Sequence, residues 1–228
     1  CKNQGMKRTF IHQLIEWKKD PSRKPLIIRG ARQVGKTYLL KEFGKEYFPN
    51  FHYINFEREE KLAKIFDPNL DPGRILNELG LFLNQKINFS KDLIIFDEIQ
   101  ACPKALTSLK YFQEEMPEVA IASAGSLLGI HLSPFSFPVG KVNILTMYPM
   151  AFEEFLMATG DVRSLEFINT IRLDSIIPDF MHEHLWNQLK LYFIVGGLPE
   201  VIVTYCKHQN DLYSALKEVR IKQEQLLL

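Results

Sequence analysis

The chain is poor in most features that would set it apart from ordinary globular proteins. It has three cysteines in 228 residues, Cys1, Cys102 and Cys206. The number is odd and the spacing wide, which excludes a disulfide framework and a cysteine zinc site and points to a reducing, cytoplasmic home. No apolar run approaches the roughly 20 residues that cross a bilayer, and no secretory apolar segment follows the N-terminus, so no membrane partner is expected. Neither sign of charge dominates: 28 Lys and Arg stand against 27 Asp and Glu, a formal net charge of +1. A nucleic-acid partner therefore gains no support from the overall field, and the cluster Lys18, Lys19, Arg23 and Lys24 reads as a solvated helix end. Internal repeats and low-complexity segments are also lacking. What remains is a chain 46% hydrophobic and 24% charged, enough for a core domain with a smaller companion.

Two segments carry chemistry. Gly30 to Thr37 reads GARQVGKT and fits G-x-x-x-x-G-K-[ST], the phosphate-cradling P-loop. It follows an apolar run, Pro25 to Arg29, and opens a helical stretch, Gly35 to Tyr47. In such a loop the backbone N–H groups of Gly30, Ala31, Arg32, Gln33, Val34, Gly35 and Lys36 converge on phosphates at a helix N-terminus. Lys36 reaches the β- and γ-phosphates, and the Thr37 hydroxyl completes a Mg²⁺ shell. The second segment is LIIFDEIQ, Leu93 to Gln100, an apolar run ending in Asp97 and Glu98. Asp97 suits a magnesium ligand, and Glu98 a base that polarises a water aimed at the γ-phosphate. Adjacent carboxylates argue against a small-molecule kinase. With no Asn-Lys-x-Asp segment for guanine, ATP is the expected nucleotide.

The rest of the chain is expected to alternate. Strands are read at Phe51–Phe56, Leu93–Phe96, Val119–Ala124 and Val142–Thr146. Helices are read over Met6–Lys19, Lys61–Phe66, Pro72–Ile87 and Ala105–Met116. That alternation implies an α/β fold with a parallel sheet flanked by helices. From Ala151 onward the strand signal fades, and Ala151–Ala158, His182–Val195, Pro199–Tyr205 and Asp211–Leu228 read as helices. The expected division is a P-loop core at 1–150, then a helical lid at 151–228 whose last helix leads toward a further C-terminal domain. Two tempting groups carry little. In His182-Glu183-His184 the two histidines face apart on a helix. Glu153 and Glu154 read as a helix N-terminal charge pattern.

Six segments together resemble one family: Arg29–Thr37, LIIFDEIQ, Ala124–Gly129, Ser136–Val142, Tyr148-Pro-Met-Ala-Phe-Glu-Glu-Phe155 and Gly196-Gly-Leu-Pro-Glu-Val201. In order and content they are similar to prokaryotic AAA+-type P-loop ATPases that often carry a C-terminal nuclease-like or uncharacterised domain. The resemblance spans roughly residues 7 to 225. It implies an ATPase that uses Mg²⁺ to drive conformational change, with a protein partner or further domain, and oligomers within reach. It also implies a polar sensor at Ser123 or Ser126. Lys141 stands where many relatives have arginine, and Arg163 and Arg172 are the other candidates for a charge-stabilising finger. Two alternatives stay open: a nucleotide-gated switch or scaffold with little turnover, and the ATPase module of a DNA-directed machine.

Overall fold

The computed structural model describes residues 8–126, 138, 140–172, 174–208 and 211–227. The Ala124–Gly129 and Ser136–Val142 segments lie partly outside these residues, and Met6 and Lys7 wholly outside. The chain forms two compact units: one runs from Phe10 to Met147, and the other gathers Tyr148 onward together with Arg8 and Thr9.

The first unit is built on five strands: β1 Leu26–Gly30, β2 Phe51–Asn55, β3 Leu93–Asp97, β4 Ala120–Ser126 and β5 Asn143–Thr146. Their order is β2-β3-β4-β1-β5, and every pairing is parallel. The helices are α1 Ile11–Lys19, α2 Lys36–Tyr47, the short α3 Glu60–Ala63, α4 Pro72–Leu83 and α5 Pro103–Glu115. β3 is buried at every position, as a strand covered on both faces must be. Phe56, Phe66 and Phe96 meet edge to face at 5.4–6.1 Å, packed with Ile75, Leu76 and Leu79 of α4 in one core cluster. Such edge-to-face contacts suit the ring quadrupole.

Element boundaries differ from the sequence expectation for local reasons. α4 stops at Leu83, short of Ile87, because Asn84 turns left-handed (φ 50°) and the Gln85 N–H closes onto the Gly80 carbonyl, a common helix stop. α5 starts earlier, at Pro103, whose missing N–H costs nothing in a first turn.

The second unit holds α6 Phe152–Thr159, α7 Val162–Thr170, α8 Asp179–Val195, α9 Pro199–His208 and α10 Leu212–Leu227. α7 was not expected from the sequence. Its start is set by Asp161, whose carboxylate accepts the Ser164 N–H at 3.2 Å and lies 2.7 Å from His184 Nε2 on α8. Burial alone would raise the Asp161 carboxyl, but His184 and Ser164 hold it below the usual range. The core here is Met150, Phe155, Val195, Val201, Ile202 and Tyr205, with Ala215 and Val219 from α10. No helix among the described residues is long and apolar enough to cross a membrane.

Glu154 is more than a helix-end charge. It is 3% exposed; Oε2 accepts the Ala151 N–H at 3.0 Å, and Oε1 accepts the Thr9 N–H and hydroxyl at 2.7 and 2.9 Å and Arg8 Nε at 3.1 Å. The Tyr-Pro-x-x-Phe-Glu-Glu-Phe segment thus carries a buried fastener for the chain's N-terminal residues.

Candidate nucleotide site

The loop after β1 is shaped by backbone. A Cβ on Gly30 would stand 2.2 Å from the Met147 carbonyl oxygen, so only glycine fits where β1 turns out of the sheet. Gln33 and Gly35 both take positive φ, 64° and 94°. Glycine adopts this freely, whereas the glutamine stores about 1 kcal/mol or more. Val34 is fully buried and anchors the loop, while Ala31, Arg32 and Gln33 are exposed. α2 then begins at Lys36 with no side chain capping its first turn. Its free N–H groups and positive dipole end make an anion site.

Lys36 is 8% exposed. Its ammonium donates to the Gly30 and Ala31 carbonyls at 3.0 and 2.6 Å, occupying the cradle that its own loop forms. Burial lowers its pKa, against the opposing pull of Glu98 and Asp97. Thr37 Oγ1 lies 3.0 and 2.9 Å from the two oxygens of Asp97. β4 separates β1 from β3, yet the first turn of α2 brings Thr37 over the end of β3. The donor set is one hydroxyl and one carboxylate, hard oxygens that suit Mg²⁺, beside a cradle that suits phosphate.

Two residues that the sequence reading missed complete the cluster. The Tyr53 hydroxyl donates to Asp97 Oδ2 at 2.7 Å, and Asn55 Nδ2 reaches the Tyr53 oxygen at 3.2 Å and Asp97 Oδ2 at 3.5 Å. Parallel pairing sets Asn55 beside Asp97. A signal was present: Tyr53 and Asn55 sit two apart at the carboxyl end of a strand and so share a face. Burial, with the Asp97 hydrogen bond, pushes the Tyr53 phenol up to about 12, Asn55 pulling the other way, so it stays a neutral donor.

Glu98 leaves β3 in a left-handed conformation (φ 50°), which turns its side chain away from the strand direction of Asp97. Its Oε2 accepts from Gln100 Nε2 at 2.5 Å. The serines separate. Ser126 pairs in register with Gly30 at the carboxyl edge of the sheet. Ser123 is not at the strand end: it is fully buried beside Ile27 and Phe96, and its hydroxyl lacks a hydrogen-bond partner among the described residues. Lys141 precedes β5, at the sheet end opposite Gly30, and pairs with Glu114 at 2.9 Å; it does not serve this loop. Arg163 and Arg172 belong to the helical unit.

A parallel sheet with a glycine loop running into a helix N-terminus, a lysine in the loop and an acid at a neighbouring strand end defines a P-loop nucleoside-triphosphatase fold. The family profile described as "AAA domain" matches residues 22–156, and the chain belongs to this family of AAA-type P-loop ATPases. None of the curated proteins matches it. Among solved structures, the Walker-type ATPase PABY2304 of Pyrococcus abyssi superposes with a TM-score of 0.59 at 18% identity, over 95% of this chain and 71% of that one. AMPPCP-bound DnaA from Aquifex aeolicus gives 0.52 at 14% identity, over 95% and 65%. The Aeropyrum pernix Orc1 protein in complex with DNA gives 0.51 at 12%, over 94% and 64%. The chain thus spans about two thirds of the length of these proteins, and at these identities the likeness is one of fold.

Proposed function

We propose that the chain binds ATP with Mg²⁺ in the Gly30–Thr37 loop and hydrolyses it, using the cycle to drive conformational change. The observation that carries this reading is the Asp97 carboxylate resting on the Thr37 hydroxyl at the mouth of the loop. Thr37 and Asp97 would hold the cation, which when bound neutralises charge on the phosphate oxygens. Lys36 would exchange the Gly30 and Ala31 carbonyls for phosphate oxygens, a substitution of stronger charge-assisted bonds for neutral ones. Glu98 would take a proton from the attacking water. Ser126, beside Gly30, is the better placed of the two serines to report on phosphate. The division of labour between a core at 1–150 and a helical lid at 151–228 belongs to the same proposal, as do a protein partner, an oligomer and a cytoplasmic setting.

The test is steady-state ATP hydrolysis with Mg²⁺, wild type against Glu98→Gln, with ATP binding measured on both. The variant is expected to bind normally and turn over at least about a hundredfold more slowly, the usual scale for losing a catalytic base. Normal turnover by Glu98→Gln would move the base elsewhere.

One observation favours a switch as second reading: Gln100 already engages one oxygen of the Glu98 carboxylate at 2.5 Å, which restrains the group that would meet water. Tight binding with negligible turnover in both proteins would favour it. Orc1 from Aeropyrum pernix is seen with DNA, but at a formal net charge of +1 a DNA-directed role here depends on a salt-sensitive binding titration.

A further inference from the structure

Asp97 has to present one oxygen forward, toward a cation shared with Thr37, and its terminal torsion is broad and roughly two-fold if left alone. Tyr53 supplies the restraint. Its hydroxyl holds Oδ2 at 2.7 Å, the shortest contact of this carboxylate among the described residues, with Asn55 behind at 3.5 Å. The ring itself is fixed from the other side. Lys41 Nζ lies 3.4 Å from the Tyr53 ring centroid, and Lys41 stands four residues after Thr37 on α2, on the same helix face. One face of α2 therefore brings Thr37 to the carboxylate and Lys41 to the phenol that orients it, while β2 carries Tyr53 into place by its register with β3.

We propose that Tyr53 is a positioning residue for the metal site: through its hydroxyl it sets the Asp97 carboxylate for Mg²⁺, with Lys41 holding the ring. The inference rests on the ATP–Mg²⁺ reading of the loop. Outer partners of this kind typically change metal affinity by ten- to a hundredfold when removed. In this role Tyr53 acts on the carboxylate and not on the nucleotide, so its loss leaves metal-free nucleotide binding alone. A tyrosine that merely packed α2 against β2 would behave differently, because Tyr53→Phe keeps the ring and the cation contact and removes only the oxygen.

The experiment follows binding of a fluorescent ATP analogue to the whole chain in EDTA and then across a Mg²⁺ titration, for wild type, Tyr53→Phe and Asp97→Asn. Tyr53→Phe is expected to match wild type in EDTA and to need about tenfold more Mg²⁺ at the midpoint, with Asp97→Asn shifted further. A Tyr53→Phe midpoint equal to wild type, while Asp97→Asn is shifted, overturns the positioning role and leaves the metal site standing. Weakened binding in EDTA, with no separate Mg²⁺ effect, also overturns it, because the lost hydroxyl would then act on nucleotide binding and not on the metal. No Mg²⁺ response in wild type overturns the metal site itself, and Tyr53's role with it. Lys41→Met gives an independent check: the same Mg²⁺ shift in smaller measure, again without change in EDTA, is the expected result.

Discussion

Asp97 in the sheet unit and Glu154 in the helical unit are both 3% exposed, and their surroundings could hardly differ more. Glu154 is met by a guanidinium at 3.1 Å, two backbone N–H groups and a hydroxyl. Asp97 meets only neutral donors among the described residues: the hydroxyls of Thr37 and Tyr53, and the Asn55 amide. A buried carboxylate with no cation in hydrogen-bond contact is costly, and the Lys36 ammonium offsets this only through space, so the second arrangement suits a place where further positive charge can be supplied. Full pairing marks the residue that holds the chain together. Incomplete pairing at the mouth of a loop is what the proposed cation role of Asp97 would require.

The sharpest way to break this comparison is to remove the fully paired acid. Glu154→Ala takes the carboxylate away from Arg8, itself 7% exposed and still bonded to the Tyr148 carbonyl, and should cost about 3–5 kcal/mol, the usual range for halving a buried pair. The two tryptophans divide between the units, Trp17 on α1 and Trp186 on α8. In a Trp17→Phe background, denaturation followed by Trp186 fluorescence reports on the helical unit. A loss under about 1 kcal/mol would mean that Glu154 is not the fastener. Next in size is Gly30→Ala in the sheet unit. Its Cβ would meet a backbone oxygen at 2.2 Å, which no side-chain rotation relieves, so about 3 kcal/mol is expected, the upper end for overpacking. It is read by Trp17 fluorescence in a Trp186→Phe background.

The same contrast explains what the sequence displayed and what it hid. The parallel sheet was legible because buried strands such as Leu93–Phe96 are unbroken apolar runs, and the loop at Gly30–Thr37 because a short backbone-driven motif has few residue choices. Contacts across long separations were not. Glu154 looked like a helix-end charge because its partners, Arg8 and Thr9, lie about 145 positions away in sequence. Tyr53 and Asn55 looked like part of an aromatic strand, since only the pairing of β2 with β3 brings them to Asp97. Ser123 and Ser126 were indistinguishable until the register placed one beside Phe96 and the other beside Gly30. α7 escaped because its start depends on Asp161, a cap that reads like any loop aspartate.

Acid sensitivity should also differ between the units. In the sheet unit Asp92 is 2% exposed and lies 3.0 Å from His52 Nε2, and its oxygens also accept from Asn88 N–H and Asn50. Burial would raise its pKa, but these partners hold it below the usual range. A depressed folded pKa stabilises above the unfolded value of about 3.9, and the gain is lost as pH falls through the lower folded value. Asp92→Asn should cost about 2 kcal/mol at pH 7, with the gap to wild type closing as pH drops below about 4. Asp161 in the helical unit is depressed in the same direction, but its histidine is half exposed, so its pairing is worth only about 0.5 kcal/mol. Chemical denaturation at pH 7, 5 and 3 checks both, and a gap for Asp92→Asn that stays constant across that range would sink the assignment.

The smallest expected effect is the most telling. Asp97→Asn removes a buried charge that has no cation in hydrogen-bond contact, Lys36 acting on it only through space, while an amide oxygen can still accept from Thr37 or Tyr53. The two consequences oppose each other: relief of desolvation stabilises the variant, and the loss of charge-assisted acceptance weakens it. The stability of the nucleotide-free protein should therefore change by less than about 1 kcal/mol, as happens where a site holds groups at some cost to the fold. Thermal denaturation of Asp97→Asn and Glu154→Gln side by side measures this directly. If both fall equally, Asp97 supports the fold as much as Glu154 does, and incomplete pairing no longer distinguishes a ligand site from a fastener. If only Glu154→Gln falls, the fold does not need the Asp97 charge, as expected of a carboxylate kept for the cation that Thr37 would share.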